Sequence, residues 1–144
     1  MIDLLHGIQS TTSALSAERV RIDVASENIA NANVSRHLDG KPYQRKVVHF
    51  DSVLTAQSGA NSCEPAPQTV TVARIDKDTR PPRLVYNPSD PAADGAGWVA
   101  MPNINIHEEM VDLIASSRAY EANLAVVKLS RNMAMQTLAI GRRA

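Results

Sequence analysis

The sequence is poor in most of what would mark an enzyme or a membrane protein, and each shortage excludes something. One cysteine, Cys63, among 144 residues leaves no partner for an internal disulfide. Aromatic residues make up only 3% of the chain, too few to fill a core with rings, which points to aliphatic helix packing. Fifteen basic residues balance fifteen acidic ones, so charge makes no case for nucleic acid or an anionic membrane surface as partner. No run approaches the roughly 18 apolar residues of a membrane span. No basic leader followed by a long apolar stretch opens the chain, so a Sec signal peptide is not expected. Phosphate-cradling glycine loops, nucleophile elbows and internal repeats are missing. The four histidines, His6, His37, His49 and His107, are scattered. His107, Glu108, Glu109 and Asp112 resemble a ligand cluster, but the second histidine of a zinc-protease helix is absent and acids suit a helix start. Catalytic residues, metal ligands, cofactors and a small-molecule substrate are therefore not expected.

What the sequence has is helical periodicity at both ends. From Asn103 to Ile140 the positions Ile106, Met110, Leu113, Ser117, Tyr120, Leu124, Val127, Arg131, Ala134 and Leu138 follow a three-and-four step, which keeps side chains on one stripe of a helix. A second stripe, centred about opposite the first, holds Val111, Ala115, Ala119, Ala122, Val126, Leu129, Met133 and Ile140. A helix apolar on two opposed faces needs neighbours on both sides. Asn105 with Glu108 three residues on reads as a capping box, and Gly141-Arg142-Arg143 as the end. At 1.5 Å per residue the helix is roughly 50 Å long.

Residues 3–32 carry the second pattern: Ile8, Leu15, Ile22 and Ile29 fall seven apart, with Leu4, Ala25 and Ala32 on the companion positions and Thr11 and Glu18 as polar breaks, a narrow stripe like a coiled-coil seam. The asparagine-rich stretch 28–33 is expected to end this helix through a left-handed cap. Between the helices all eight prolines gather. Turn signals at Asp39-Gly40, Asn87-Pro88 and Asp94-Gly95 separate candidate strands at 43–50, 68–75, 83–86 and 97–101, with 55–67 read as an exposed loop. The expected fold is mainly α, with one structural domain in three parts. An N-terminal helix (1–33) and a C-terminal helix (103–144) pack as an antiparallel coiled-coil-like pair around a small β-rich insertion (34–102). The seam is expected to use Ile8, Leu15, Ile22 and Ile29 against Met110, Leu113, Tyr120, Leu124, Val127 and Leu138. The small residues Ala115, Ala119 and Ala122, with Val126, are expected to meet neighbouring subunits.

Two segments carry a resemblance. Ser13-Ala14-Leu15-Ser16-Ala17 with Val24-Ala25-Ser26-Glu27-Asn28-Ile29-Ala30-Asn31 resembles the N-terminal motif of the bacterial flagellar rod and hook axial proteins. Glu109-Met110-Val111-Asp112-Leu113-Ile114 and Ser117-Arg118-Ala119-Tyr120-Glu121-Ala122-Asn123 resemble their C-terminal motif. The stretches 42–50 and 97–103 resemble the proximal-rod members in particular. Glu27 and Val34 depart from the commoner asparagine and threonine of the family.

The resemblance implies a structural subunit that polymerises helically into the drive shaft around the export channel. It implies copies of the chain, other rod proteins and the ring or export-gate proteins at the rod's base as partners. It also implies export by the flagellar type III system to the periplasmic rod. Another rod subunit of the family is the nearest alternative, and a stand-alone helical adaptor a more distant one.

Overall fold

The computed structural model describes residues 2–35, 41–54 and 68–142. The elements run α1 (Ile2–Ala30), β1 (Lys46–Leu54), β2 (Gln68–Lys77), β3 (Arg83–Tyr86), β4 (Trp98–Met101) and α2 (Ile106–Gly141). β3 spans the expected residues, while β1, β2 and β4 start or end one to four residues from their expected positions. The loop expected at 55–67, Cys63 and the Asp39-Gly40 turn lie outside the described residues.

α1 is rich in serine and threonine, which compete with helix geometry unless their hydroxyls are occupied. Here they bond back one turn: Thr11 to the Gly7 carbonyl (2.6 Å), Thr12 to Ile8 (2.8 Å) and Ser26 to Ile22 (2.8 Å). The helix does not end through a left-handed asparagine, because among the described residues only Gly97 has positive φ. Instead the Asn31 side-chain amide donates to the Glu27 carbonyl (2.8 Å), and a turn closes between Asn31 and Val34 (3.1 Å). A local side-chain bond occupies the last carbonyls, so no backbone reversal is needed. At the other helix the expected cap forms. Asn105 Oδ1 accepts from the His107 amide (3.2 Å), while Glu108 takes the Asn105 side-chain amide (2.9 Å) rather than a backbone N–H.

β1 and β2 form an antiparallel hairpin with a bulge, since His49 pairs with Arg74 and Phe50 with Val72, leaving Ala73 extra. The hairpin lies on α1, where the Val70 amide donates to Ser13 Oγ (3.1 Å). α1 also packs along α2. It is therefore α1, not α2, that has neighbours on two sides within the chain. That explains its buried residues: Ala17, Val24, Ala25 and Asn28 are mostly small, and Ala25, with Ala32 just past the helix end, falls on the companion positions of the heptad stripe. Ile8, Leu15, Ile22 and Ile29 are only half-buried. Small side chains let two elements approach one helix closely.

α2 has a single partner among the secondary-structure elements, α1. Its inward face holds Glu109, Leu113, Ser116, Tyr120, Leu124 and Val127. Two residues assigned to the seam by spacing are exposed in the single chain. Met110 is 48% exposed and Leu138 63% exposed. At the first turn Glu109 takes the inward place and turns Met110 aside. At the far end α2 has 36 residues against 29 in α1, and cover runs out before Leu138.

β3 and β4 form a separate antiparallel ribbon that packs on none of the other elements. Its connection, residues 87–97, folds back on it through Asn87 N–H to the Gly97 carbonyl (3.0 Å) and Asp94 N–H to the Trp98 carbonyl (2.9 Å). Gly97 has φ of 82°, and a Cβ there would lie 3.0 Å from Tyr86 Cε2. Only glycine takes that backbone so close to the ring without strain.

Candidate assembly surfaces and the polar junction behind them

Three distant parts of the sequence meet at one buried polar cluster. Asn28, on the last turn of α1, is 1% exposed, and Glu109, on the first turn of α2, is 2% exposed. Asn28 Nδ2 donates to Glu109 Oε2 (3.0 Å) and to the Lys46 carbonyl (2.9 Å). Its Oδ1 accepts from the Lys46 amide (2.9 Å) and from the Tyr43 hydroxyl (3.0 Å). The side chain thus pairs with the backbone of Lys46 as a strand would, and fastens the start of β1 to the helix. Every hydrogen-bonding site of its amide has a partner or lies beside one, which is what makes a buried polar residue tolerable.

Glu109 is a buried carboxylate and needs a counter-charge. Arg45 supplies it through Nε to Oε1 at 2.6 Å. Asp78 binds the Arg45 carbonyl through its own N–H (2.7 Å), closing the base of the hairpin, and faces Arg45 at 4.0 Å. The Arg80 side chain donates to Asp78 (2.8 Å) and holds that carboxyl below its usual range. Lys46 pairs with Glu27. Burial, with Glu27 and Glu109 nearby, pushes the Tyr43 hydroxyl up to about 12. These groups line a cleft of about 540 Å³ that includes Tyr43, Arg45, Lys46, Asp78 and Arg80. Arg45, Lys46, Asp78, Arg80 and Glu27 are committed to ion pairs, which suits a clamp rather than chemistry. Arg21 and Asp112 (3.4 Å) add a solvent-exposed pair between the helices, of the kind that contributes little.

Glu109 was expected to serve the helix dipole, and Asn28 to end α1. Both do more: they are the bond between the two helices. The signal in the sequence was a polar residue at the edge of an alanine-rich stripe in each helix, but nothing there could pair them. The remaining motif residues scatter. Ser117, Tyr120 and Asn123 are half-buried along α2, Asn31 closes α1, and Ala30, Arg118 and Glu121 are exposed.

The surface expected to meet neighbours stays open in the single chain. Ala115, Ala122 and Val126 are exposed, while Ala119 is half-buried at the border of the α1 contact. Among the described residues fifteen large hydrophobic side chains are exposed, and ten of them lie on α2, from Ile106 to Ile140. Side chains of this kind are scattered singly on most monomers; ten on one helix, on more than one of its sides, leave it with apolar surface that α1 does not cover.

A clamped helix pair with an uncovered apolar helix defines a structural, assembly-forming subunit. The comparisons with known proteins agree. Residues 8–36 match the model described as flagella basal body rod protein, and residues 96–140 match the C-terminal model of the flagellar basal body rod FlgEFG proteins. Flagellar basal-body rod protein FlgC of Bacillus subtilis is 40% identical over 95% of this chain and 97% of its own length. The FlgC of Borreliella burgdorferi is 41% identical over 95% and 97%, and that of Yersinia enterocolitica 38% over 98% and 100%. The chain belongs to the flagellar basal-body rod protein family.

Proposed function

We propose that the chain is a subunit of the proximal rod, polymerising helically into the torque-bearing shaft around an export channel. α1 and α2 act as an antiparallel, coiled-coil-like pair that forms part of the tube wall. Support for this orientation comes from the cross-helix bonds: Asn28 meets Glu109, and Arg21, earlier in α1, meets Asp112, later in α2. The small-residue surface of Ala115, Ala119, Ala122 and Val126 packs on adjacent subunits. Other rod proteins, and ring or export-gate proteins at the rod base, complete the set of partners. Passage through the flagellar type III channel carries the chain to the periplasmic side.

The observation that carries this reading is the uncovered length of α2. Fully burying a large apolar side chain is worth about 1.5–3 kcal/mol, of which these side chains, 36–72% exposed, still stand to gain roughly half, and α1 can reach only one face. Different surfaces meeting head to tail produce open helical arrays. The test is complementation of a strain lacking this gene. The unaltered chain should restore swimming and appear in purified basal bodies, with density at the inner end of the rod. Leu124→Asp and Ile22→Asp should restore neither, because an unpaired charge in the helix contact costs several kcal/mol. Normal swimming with either variant would contradict the seam, and absence of the unaltered chain from basal bodies would end the rod reading.

A further inference from the structure

The β3–β4 ribbon is the part of the fold that the helix pair does not explain. Register places Tyr86 opposite Trp98 and Leu84 opposite Ala100 on one face, with Val85 and Val99 on the other. Val99 is completely buried, whereas Leu84, Tyr86 and Trp98 are exposed. The two rings meet edge to face with centroids 5.4 Å apart. They are two of only five aromatic residues in the chain, and the glycine at 97 exists to seat them. From Leu84 to Trp98 the only charged side chains are Asp90 and Asp94. One oxygen of each caps its own turn, Asp90 at Ala92 N–H (2.8 Å) and Asp94 at Ala96 and Trp98 N–H (both 2.9 Å).

The opposite end of α2 has the complementary character. After Glu121 the chain contains no acidic residue. Lys128, Arg131, Met135, Leu138 and Arg142 follow one another at steps of three, four, three and four, so they share one side of the helix. All five are exposed. This stripe continues the α1-facing side of α2, the side of Leu113, Tyr120, Leu124 and Val127, towards the end of the helix where cover by α1 runs out, and it lies well away from Val126, Leu129 and Met133. It begins about 33 Å along the helix from Ile106, which is the fifth residue after the end of β4 at Met101.

We propose that the β3–β4 ribbon of one copy docks on the Lys128–Arg142 stripe of α2 in the next copy. The aromatic pair and Leu84 cover Met135 and Leu138, with sulfur and guanidinium against ring faces. Asp90 and Asp94 face the arginines across a partly dry border. The two surfaces differ and sit at opposite ends of one helix, so the contact is head to tail and repeats along a polymer. This rests on the assembly reading above and names the partner surface within it.

The test uses the full-length chain with Cys63→Ser in the gene-deletion strain. Single-cysteine variants Tyr86→Cys and Met135→Cys are co-expressed, basal bodies are purified and treated with a short bismaleimide, and the products are separated by size. A cross-linked dimer is expected with this pair, not with either variant alone, and not when Leu129→Cys replaces Met135→Cys. Adding Arg131→Glu and Arg142→Glu, both at exposed positions, should lower the yield at least tenfold. Basal bodies that contain the chain but give no dimer overturn the docking and leave the rod reading intact. So does an equal yield with Leu129→Cys, or a Tyr86→Cys cross-link only to a different protein. Absence of the unaltered chain, purified in parallel, from basal bodies defeats the rod reading itself.

Discussion

Asn28 is the most exposing place to test the junction, because one amide serves two helices and a strand. Asn28→Ala removes its bonds to Glu109, to Tyr43 and to both backbone groups of Lys46. At about 1–3 kcal/mol per buried group left unpartnered, the upper bound is ~4–12 kcal/mol. Arg45 still holds Glu109 Oε1, and water entering the vacated space restores part of the rest. The expected loss is ~3–5 kcal/mol, a large share of the ~5–15 kcal/mol that a folded domain has.

Asn28→Asp keeps the shape but puts a carboxylate 3.0 Å from Glu109 Oε2 and removes the donor. At an effective dielectric of about 20 that repulsion is ~5 kcal/mol. Protonating one of the two oxygens relieves it. The shared pair then titrates higher in the folded state than in the unfolded chain. Stability of this variant is therefore present at low pH and lost as pH rises through that raised value. Denaturant unfolding of the purified chain, followed by far-ultraviolet circular dichroism at about pH 5 and about pH 8, separates the two effects. Asn28→Ala should be weak at both, and Asn28→Asp should recover at the lower. A loss below ~1 kcal/mol for both variants, or no pH dependence for Asn28→Asp, would refute the junction as the bond between the helices.

The remaining expectations are quickly stated. Because Tyr43 titrates near 12 in the fold against 10.0 when free, its contribution is complete below pH 10 and lost as pH rises towards 12; Tyr43→Phe should flatten that part of the stability curve in an alkaline titration. Ser116 is buried and its hydroxyl has no partner among the described residues, so Ser116→Ala should be neutral or stabilising by ~1 kcal/mol, while Ser116→Leu should cost ~1–3 kcal/mol or more by overpacking; thermal melts of the two decide whether α1 is as close there as described. Ala122→Leu, at an exposed position, should leave the helicity of the isolated chain unchanged yet block incorporation into basal bodies, with ~1–3 kcal/mol of overpacking recurring at every subunit contact; normal incorporation would remove Ala122 from the intersubunit surface.

The sequence by itself determined the elements and the family. Periods of three and four mark α2, the cap at Asn105 marks where it starts, and the prolines confine strands to the middle. These are local properties, set by backbone sterics and nearest neighbours along one chain. The motif residues from Val24 to Asn31 and from Glu109 to Asn123 pointed to the rod proteins for the same reason: they can be read in order.

What only the tertiary structure decided is which side of each helix is used. Heptad spacing put Met110 in the seam, but a buried carboxylate one residue earlier, matched to Asn28 and Arg45, rotates the inward face. Leu138 has the right spacing but stays 63% exposed, because cover depends on the length of another helix. The stripe of α1 was expected to make a single seam, yet a hairpin packs on the same helix, so its isoleucines are only half-buried while the companion Ala25 and the off-stripe Ala17 are buried. Periodicity fixes angles around one axis. A buried hydrogen bond across 81 residues of sequence, and the neighbour that makes burial possible, are settled only when the elements meet in space.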